Sequence, residues 1–406
     1  MERDYCTMDD FSFKGKTVIL RVEFNSPMTP DGTILDDKRI RESLPTIKEL
    51  EDAKVVILAH QSRPGKKDFT TLEQHSKRLQ GYIKRNVRYV DDIFGSHARN
   101  SISKMEKGDV VMLENVRFYS EEMLEQPPAV HAKTILVKNL APLANIFLND
   151  AFGASHRSQD SLVGFTAVLP SGAGRLMAKE IDSLNEALHG GGETIYVLGG
   201  AKVDDSISVT QNVLEKRIAT KVLTTGVVAN VFLAAAGVAI GKPNLDFLEK
   251  NEMLPQIDLA RAILKKYDGK ILMPADVAIN KEGKRVEINV QQLPTDFVIS
   301  DMGHETIANY TDIIRHADKV ILNGPAGIFE NPLFATGTSD ILMAAAKSKF
   351  SVVGGGHSSA AVEEMGIEDK ITHVSTGGGA CIDFLSGKPM PAIDALKAAK
   401  KRTSKA

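Results

Sequence analysis

The sequence predicts an α/β protein with mainly parallel sheets. Short apolar runs rich in β-branched residues recur along the chain, separated by amphipathic, charged segments. Most runs end in Gly, Asn, Asp or His and pass into a helical pattern, the alternation that parallel strands need for their crossovers. Length completes the expectation: 406 residues, 43% of them hydrophobic and 25% charged, suffice for two or three domains with sizeable apolar cores.

Taken in order, the predicted strands are 17–22, 55–59, 110–113 and 146–149 in the first half, then 194–198, 222–224, 319–322 and 350–353 in the second. Each is a near-continuous apolar run, as a strand covered on both faces requires. Residues 174–189 (GRLMAKEIDSLNEALH) space Leu176, Ile181, Leu184 and Leu188 for one face of a helix that glycines 190–192 stop, so this helix connects the halves. The most apolar stretch, 227–240, is interrupted by Asn230 and Gly237. It falls short of the ~20 residues of a membrane span and predicts a buried core helix.

Fifty basic against 52 acidic residues leave a formal net charge of -2, which provides no bulk attraction to nucleic acid or to an anionic membrane. Two cysteines, Cys6 and Cys381, can build neither a disulfide framework nor a four-cysteine zinc site. The acidic N-terminus (MERD) lacks the apolar core of a secretory signal, so a reducing, cytoplasmic location is expected. The basic tail, 397–405, reads as a solvated helix end.

Ligands of parallel α/β folds bind beyond the carboxyl ends of the strands, so the residues there carry the function. The first half places cations at such positions: Arg21, Arg39, His60, Arg63, Arg117, His156 and Arg157. Several arginines at ligand-facing strand ends point to an anion site. The second half places glycines there instead, in 198–202 (LGGAK), 225–226 (TG), 323–327 (NGPAG), 354–357 (GGGH) and 376–379 (TGGG). Glycine lets backbone N–H groups approach a phosphate, and a following helix N-terminus adds partial positive charge, so these loops point to a nucleotide. The Walker pattern is absent: its nearest approach, 237–243 (GVAIGKP), is wrongly spaced and ends in proline. A dinucleotide fingerprint is also missing, because Met177 follows Gly172 and Gly174 where a third glycine is needed.

With its motifs in order along the whole chain, the sequence resembles the phosphoglycerate kinases, and their archaeal branch in particular. The motifs are 21–27 (RVEFNSP), 60–65 (HQSRPG), 113–118 (LENVRF), 149–157 (NDAFGASHR), 198–205 (LGGAKVDD), 322–330 (LNGPAGIFE), 354–356 (GGG) and 375–380 (STGGGA). The resemblance implies two doubly wound, Rossmann-like parallel-sheet domains. A phosphoglycerate-binding domain would span 1–172, an interdomain helix 173–189 and a nucleotide-binding domain 190–388, with 389–406 packing back on the first. The activity implied is reversible phosphoryl transfer between ATP and the carboxylate of 3-phosphoglycerate, giving ADP and 1,3-bisphosphoglycerate, with magnesium as cofactor. The substrate residues by resemblance are Arg21, Glu23, Asn25, Arg39, His60, Arg63, Arg117 and Arg157. The nucleotide residues are Gly199, Gly200, Lys202, Ser206, Gly226, Asn323, Glu330, Gly354, Gly355, Gly356, His357 and Ser358.

Three positions depart from the family pattern. Glu23 stands where an aspartate is usual, Ser206 where many members have a phosphate-binding lysine, and His357 where many have a magnesium-binding aspartate. Imidazole is a poor partner for that hard cation, which leaves the metal to nucleotide oxygens, water and Asp205. A glycerate carboxylate is ionised at neutral pH, so the chemistry needs no general base and rests on fixed cations and amides. Arg39 and Lys202 are the two closest cations expected, and closure about the connecting helix and the 375–379 loop is the expected motion. Alternatives are a kinase of another phosphorylated carboxylic acid and a non-catalytic nucleotide-binding relative; the chain could work as a monomer or a homodimer.

Overall fold

Apolar runs without alternation become strands sealed on both faces. The computed structural model describes residues 3–29, 31–189 and 191–403. Met1 and Glu2 of the acidic N-terminus, Gly190 of the helix stop and Lys405 of the basic tail lie outside the described residues. The chain divides into one unit of Met1–Ile181 with Pro389–Ala406 and another of Asp182–Lys388.

The first unit carries strands β1 (Thr17–Val22), β2 (Lys54–Leu58), β3 (Val87–Tyr89), β4 (Val110–Met112), β5 (Ile146–Asp150) and β6 (Ser171–Ala173). They form one sheet in the order β3-β4-β2-β1-β5-β6, with every pair parallel. Successive side chains of a strand point to opposite faces, and the core divides accordingly. Val18, Leu20 and Val22 of β1 pack with Val55 and Ile57 on one face, whereas Ile19 joins Val56 and Leu58 on the other. The chain leaves β1 toward β2 and leaves β5 toward β6, so the winding reverses between two neighbours, where Arg21 pairs with Asn149. Such a reversal opens a crevice at the carboxyl ends of the strands.

The second unit carries β7 (Thr194–Leu198), β8 (Lys221–Thr224), β9 (Ile271–Leu272), β10 (Asp276–Lys281), β11 (Lys284–Asn289), β12 (Ile299–Met302), β13 (Lys319–Asn323), β14 (Phe350–Gly354) and β15 (His373–Val374). Its main sheet is parallel, ordered β15-β14-β13-β7-β8-β9, and the winding reverses between β7 and β13. A separate antiparallel sheet, β11-β10-β12, was not anticipated from sequence. Its hairpin turns through Glu282 and Gly283, both with positive φ (52° and 79°), the backbone a two-residue hairpin loop demands. The helix expected over 227–240 runs Gly226–Ala235 and stops short of Gly237, whose φ of 92° cannot continue it.

The connecting helix is Arg175–Leu188, with Leu176, Ile181 and Leu184 buried and Leu188 half-buried. Its start is built from the first unit's sheet: Met177 N donates to Asp150 Oδ1 at 3.0 Å and Arg175 N to Thr46 Oγ1 at 2.8 Å. Gly174 is required there, because a Cβ would lie 2.2 Å from Asp150 Oδ1. The C-terminal helix Pro391–Thr403 belongs to the first unit: Ala392 N donates to Ser155 O, and Arg402 donates to the carbonyls of Thr166 and Leu169. Among the described residues, no helix is long and apolar enough to cross a membrane.

Asp150 is fully buried, and burial pushes its carboxyl up to about 6 even though Thr46 and the amides of Met177 and Leu176 favour the charged form. The unfolded carboxyl titrates near 3.9. Between roughly pH 4 and 6 the folded chain therefore binds a proton that the unfolded chain does not, and stability falls as pH rises through that window. The full difference is about 3 kcal/mol. Asp150→Asn should remove this share of the slope, read as a flatter dependence of urea-unfolding free energy on pH between 4 and 6 than in the parent protein.

Candidate active site

Parallel strands deliver all their carboxyl ends to one edge, and in the first unit that edge is basic. The segment after β1 supplies Glu23 and Asn25; the segment after β2 supplies His60, Ser62 and Arg63. Beyond β4 the short turn Val116–Phe118 carries Arg117, and beyond β5 the turn Phe152–Ala154 leads to His156 and Arg157. The helix Lys38–Glu42 adds Arg39.

Arg39 Nη1 lies 3.1 Å from Glu23 Oε1 and donates to Asn25 O at 2.6 Å. Asn25 Oδ1 accepts from Ser62 N at 2.7 Å, and Ser62 O accepts from Arg117 Nη1. Ser62 holds a φ of 57°, a strained backbone for serine that aims its N–H and C=O at these two partners. His60 Nδ1 lies 2.8 Å from Arg21 Nη2. Burial, then the charges of Arg21, Arg117, Arg157 and Arg39, holds His60 well below the usual histidine range, so the ring is neutral at pH 7. Arginine only donates, so His60 Nδ1 accepts and the ring proton sits on Nε2, 3.7 Å from Glu23 Oε1. Arg117 is drawn down to about 10 by burial and by Arg157 and Arg21. Four guanidinium groups face two buried carboxylates, Glu23 and Glu122, and the surplus positive charge in a poorly solvated edge favours an anion.

The predicted substrate residues are not equally accessible. Arg63 is exposed, while Arg39 and Arg157 are half-exposed. Arg21 has no exposed surface at all and stands behind His60, so it backs the pocket rather than lining it.

In the second unit a cavity of about 270 Å³ opens where the winding reverses between β7 and β13. Four of the predicted residues line it: Gly200, Gly226, Glu330 and His357. Glycine is needed because loops cross there almost in contact. A Cβ on Gly226 (φ 54°) would lie 2.9 Å from Gly200 N, and one on Gly199 would lie 2.2 Å from Thr225 Oγ1. The apolar wall went unrecognised in sequence: Val277 of β10 and Ile299 and Met302 of β12 provide it, with Phe247. Its only signal was the Glu282-Gly283 hairpin, which lacks the usual Asn or Asp.

Other predicted residues stand beside the cavity or beneath it. Asn323 ends β13 with its Oδ1 buried and unpartnered among the described residues, and a Cβ on Gly355 (φ 88°) would lie 3.0 Å from it. Gly354 ends β14, and the helix Gly356–Glu364 follows directly. Lys202 is exposed at the start of the helix Val203–Glu215. Ser206 and Ser358 are enclosed, their hydroxyls without partners among the described residues, so neither presents its Oγ to open space.

The described residues offer no all-protein cage for magnesium, an ion that binds through one or two carboxylates together with nucleotide oxygens and water. Among the described residues no three His, Cys, Asp or Glu side chains cluster to hold a metal. Asp205 is engaged otherwise: Lys388 Nζ lies 3.4 Å from it and 2.8 Å from Asp383.

Gly226→Ala forces the crossing loops apart without touching the first unit. If the cavity takes the nucleotide expected from sequence, the variant should weaken ADP binding by about ten-fold or more in titration calorimetry, a loss of about 1.4 kcal/mol, and leave binding of an anionic substrate at the first unit unchanged.

Comparison with known proteins finds relatives over nearly the whole chain. The family model described as phosphoglycerate kinase matches residues 8–388. A phosphoglycerate kinase of Methanosarcina mazei is 57% identical over 399 residues, covering 98% of this chain and 96% of the relative. One from Methanothermobacter thermautotrophicus is 53% identical over 396 residues, covering 96% of each. The crystal structure of phosphoglycerate kinase from Pyrococcus horikoshii superposes with a TM-score of 0.91 at 43% identity, covering 98% of this chain and 100% of that one. A family model matching 8–388 and likeness of this degree over nearly the full length make the chain a member of the phosphoglycerate kinase family.

Proposed function

We propose that the chain transfers a phosphoryl group from ATP to the carboxylate of 3-phosphoglycerate, and back from 1,3-bisphosphoglycerate to ADP. A carboxylate oxygen attacks the terminal phosphorus, the bond to the β–γ bridging oxygen breaks, and ADP leaves with that electron pair. The acceptor is already ionised at neutral pH, so no proton has to move. What must be supplied is positive charge around a loose, anionic transition state. The observation that carries this reading is the surplus of arginine charge at the first sheet's edge, where His60, buried among the cations, is neutral and unsuited to acid catalysis.

In this reading Asn25, Arg39, Arg63, Arg117 and Arg157 bind the phosphoglycerate, with His60 donating from Nε2 and Glu23 orienting Arg39. Glycines 199, 200 and 226 and the wall of β10 and β12 enclose the base, and Glu330 at the cavity mouth suits the ribose hydroxyls. Asn323, Lys202 and the glycines 354–356 serve the phosphates. A divalent cation such as magnesium, supplied with the nucleotide, would neutralise part of the phosphate charge beside Asn323 and Lys202. Neither Cys6 nor Cys381 forms a disulfide, which fits the cytoplasmic location we propose.

Purified protein given ATP, magnesium, 3-phosphoglycerate and hydroxylamine should form hydroxamate only when both substrates are present. Absence of signal with intact nucleotide binding would instead favour a different carboxylic acid, to be sought by comparing rates over a panel of phosphorylated acids. Arg39→Ala and Lys202→Ala should each lower kcat by about 10² to 10³, the loss typical of one preorganised charge-stabilising contact, with a smaller effect on KM.

A further inference from the structure

Arg21 is among the largest side chains without exposed surface in the described residues, and the groups that hold it are buried too. Its Nε donates to Ser161 Oγ at 2.8 Å, its Nη1 to Val22 O, and its Nη2 lies 2.8 Å from His60 Nδ1. Ser161 Oγ, having accepted from Arg21, spends its own proton on Glu122 Oε1 at 2.7 Å, and Ser161 N donates to Glu122 Oε2 at 2.7 Å. Ser161 and Glu122 have no exposed surface, and His60 is 2% exposed. Nothing in this chain touches the anion pocket until His60, whose Nε2 faces Glu23, the residue that Arg39 grips.

The direction of every bond is set by chemistry. A guanidinium cannot accept, so Ser161 Oγ and His60 Nδ1 must. Burial raises the Glu122 carboxyl, while Arg21, the two Ser161 bonds and Arg117 favour its charged form; in that form it takes both protons of Ser161 and sets a buried negative charge beside the guanidinium. We propose that Glu122 and Ser161 are positioning residues for phosphoglycerate binding: they orient Arg21, and Arg21 fixes His60 in the tautomer that presents Nε2–H to the substrate. The proposal rests on the first unit being the phosphoglycerate site, but its first test does not.

In two-bond proton–nitrogen NMR of the histidine-labelled parent protein, His60 should appear as the neutral Nε2–H form; an Nδ1–H form overturns the proposal without any variant or substrate. Glu122→Gln and Ser161→Ala should each give a mixture of His60 tautomers. They should raise KM for 3-phosphoglycerate at least ten-fold while KM for ATP stays within two-fold. Ser161→Thr, which keeps the hydroxyl, should restore both readouts if the alanine variant folds poorly. A single Nε2–H form and unchanged KM in folded Glu122→Gln would show that Arg21 holds its place unaided and would refute the role. If the parent protein shows the expected tautomer but no 3-phosphoglycerate binding by calorimetry, the function proposed above fails while the orientation of Arg21 and His60 stands.

Discussion

Like charges crowd one edge of the first sheet, and the first unit is arranged to keep them there. Arg21, Arg39, Arg117 and Arg157 all act on His60 closely enough to depress its proton affinity, and two of them are buried. Isolated guanidinium groups in such surroundings are costly, so each has an acceptor: a carbonyl for Arg117, Glu23 and a carbonyl for Arg39, Ser161 with Glu122 for Arg21, and His156 Nε2 for Arg157. These partners hold the charges in position without neutralising them all. Excess positive potential remains, preorganised before any ligand arrives, so little reorganisation is needed when an anion binds.

The second unit solves a different problem. A nucleotide offers a flat apolar base and a charged tail, and the strand ends of β7, β8 and β13 meet so closely that only glycine fits between them. That closeness opens backbone to the ligand on one side. The opposite side comes from the antiparallel sheet of β10, β11 and β12, tied down by Arg285, which lies 2.8 Å from the buried Asp301 and donates to Met302 O. Asp301 also accepts from Gly337 N, and a Cβ at Gly327 would meet its Oδ1 at 2.6 Å. One buried ion pair therefore links the apolar wall to the loop after β13.

Departures from the family pattern acquire a physical setting. Ser206 lies inside the helix packing, too enclosed to replace a long cationic side chain. Glu23 uses its length to meet Arg39 and to face His60 together, and Asn25 N also lies 3.3 Å from its Oε1. His357 lines the cavity with the Phe329 ring 6.4 Å away, a position suited to contact with an organic ligand rather than to holding a hard cation.

Periodicity and chemical type made much of this readable in advance. The eight strands read from the sequence stand out as near-continuous apolar runs, as burial on both faces requires, and the cations and glycines after them stand out because nothing in a core calls for them. By itself the sequence determined the parallel α/β architecture, the basic and glycine-rich halves and, through motifs in order, the family. Short strands such as β3, β6, β9 and β15 gave no such signal, since VRY, SGA, IL and HV lie in no apolar run comparable to 110–113. Tertiary structure alone decided that Arg21 backs the pocket, that His60 is neutral, that Asp205 answers Lys388 and that β10 and β12 wall the cavity. Burial, proton position and ion pairing depend on neighbours more than a hundred residues apart, such as Arg21 and Ser161, and no local pattern encodes such a meeting.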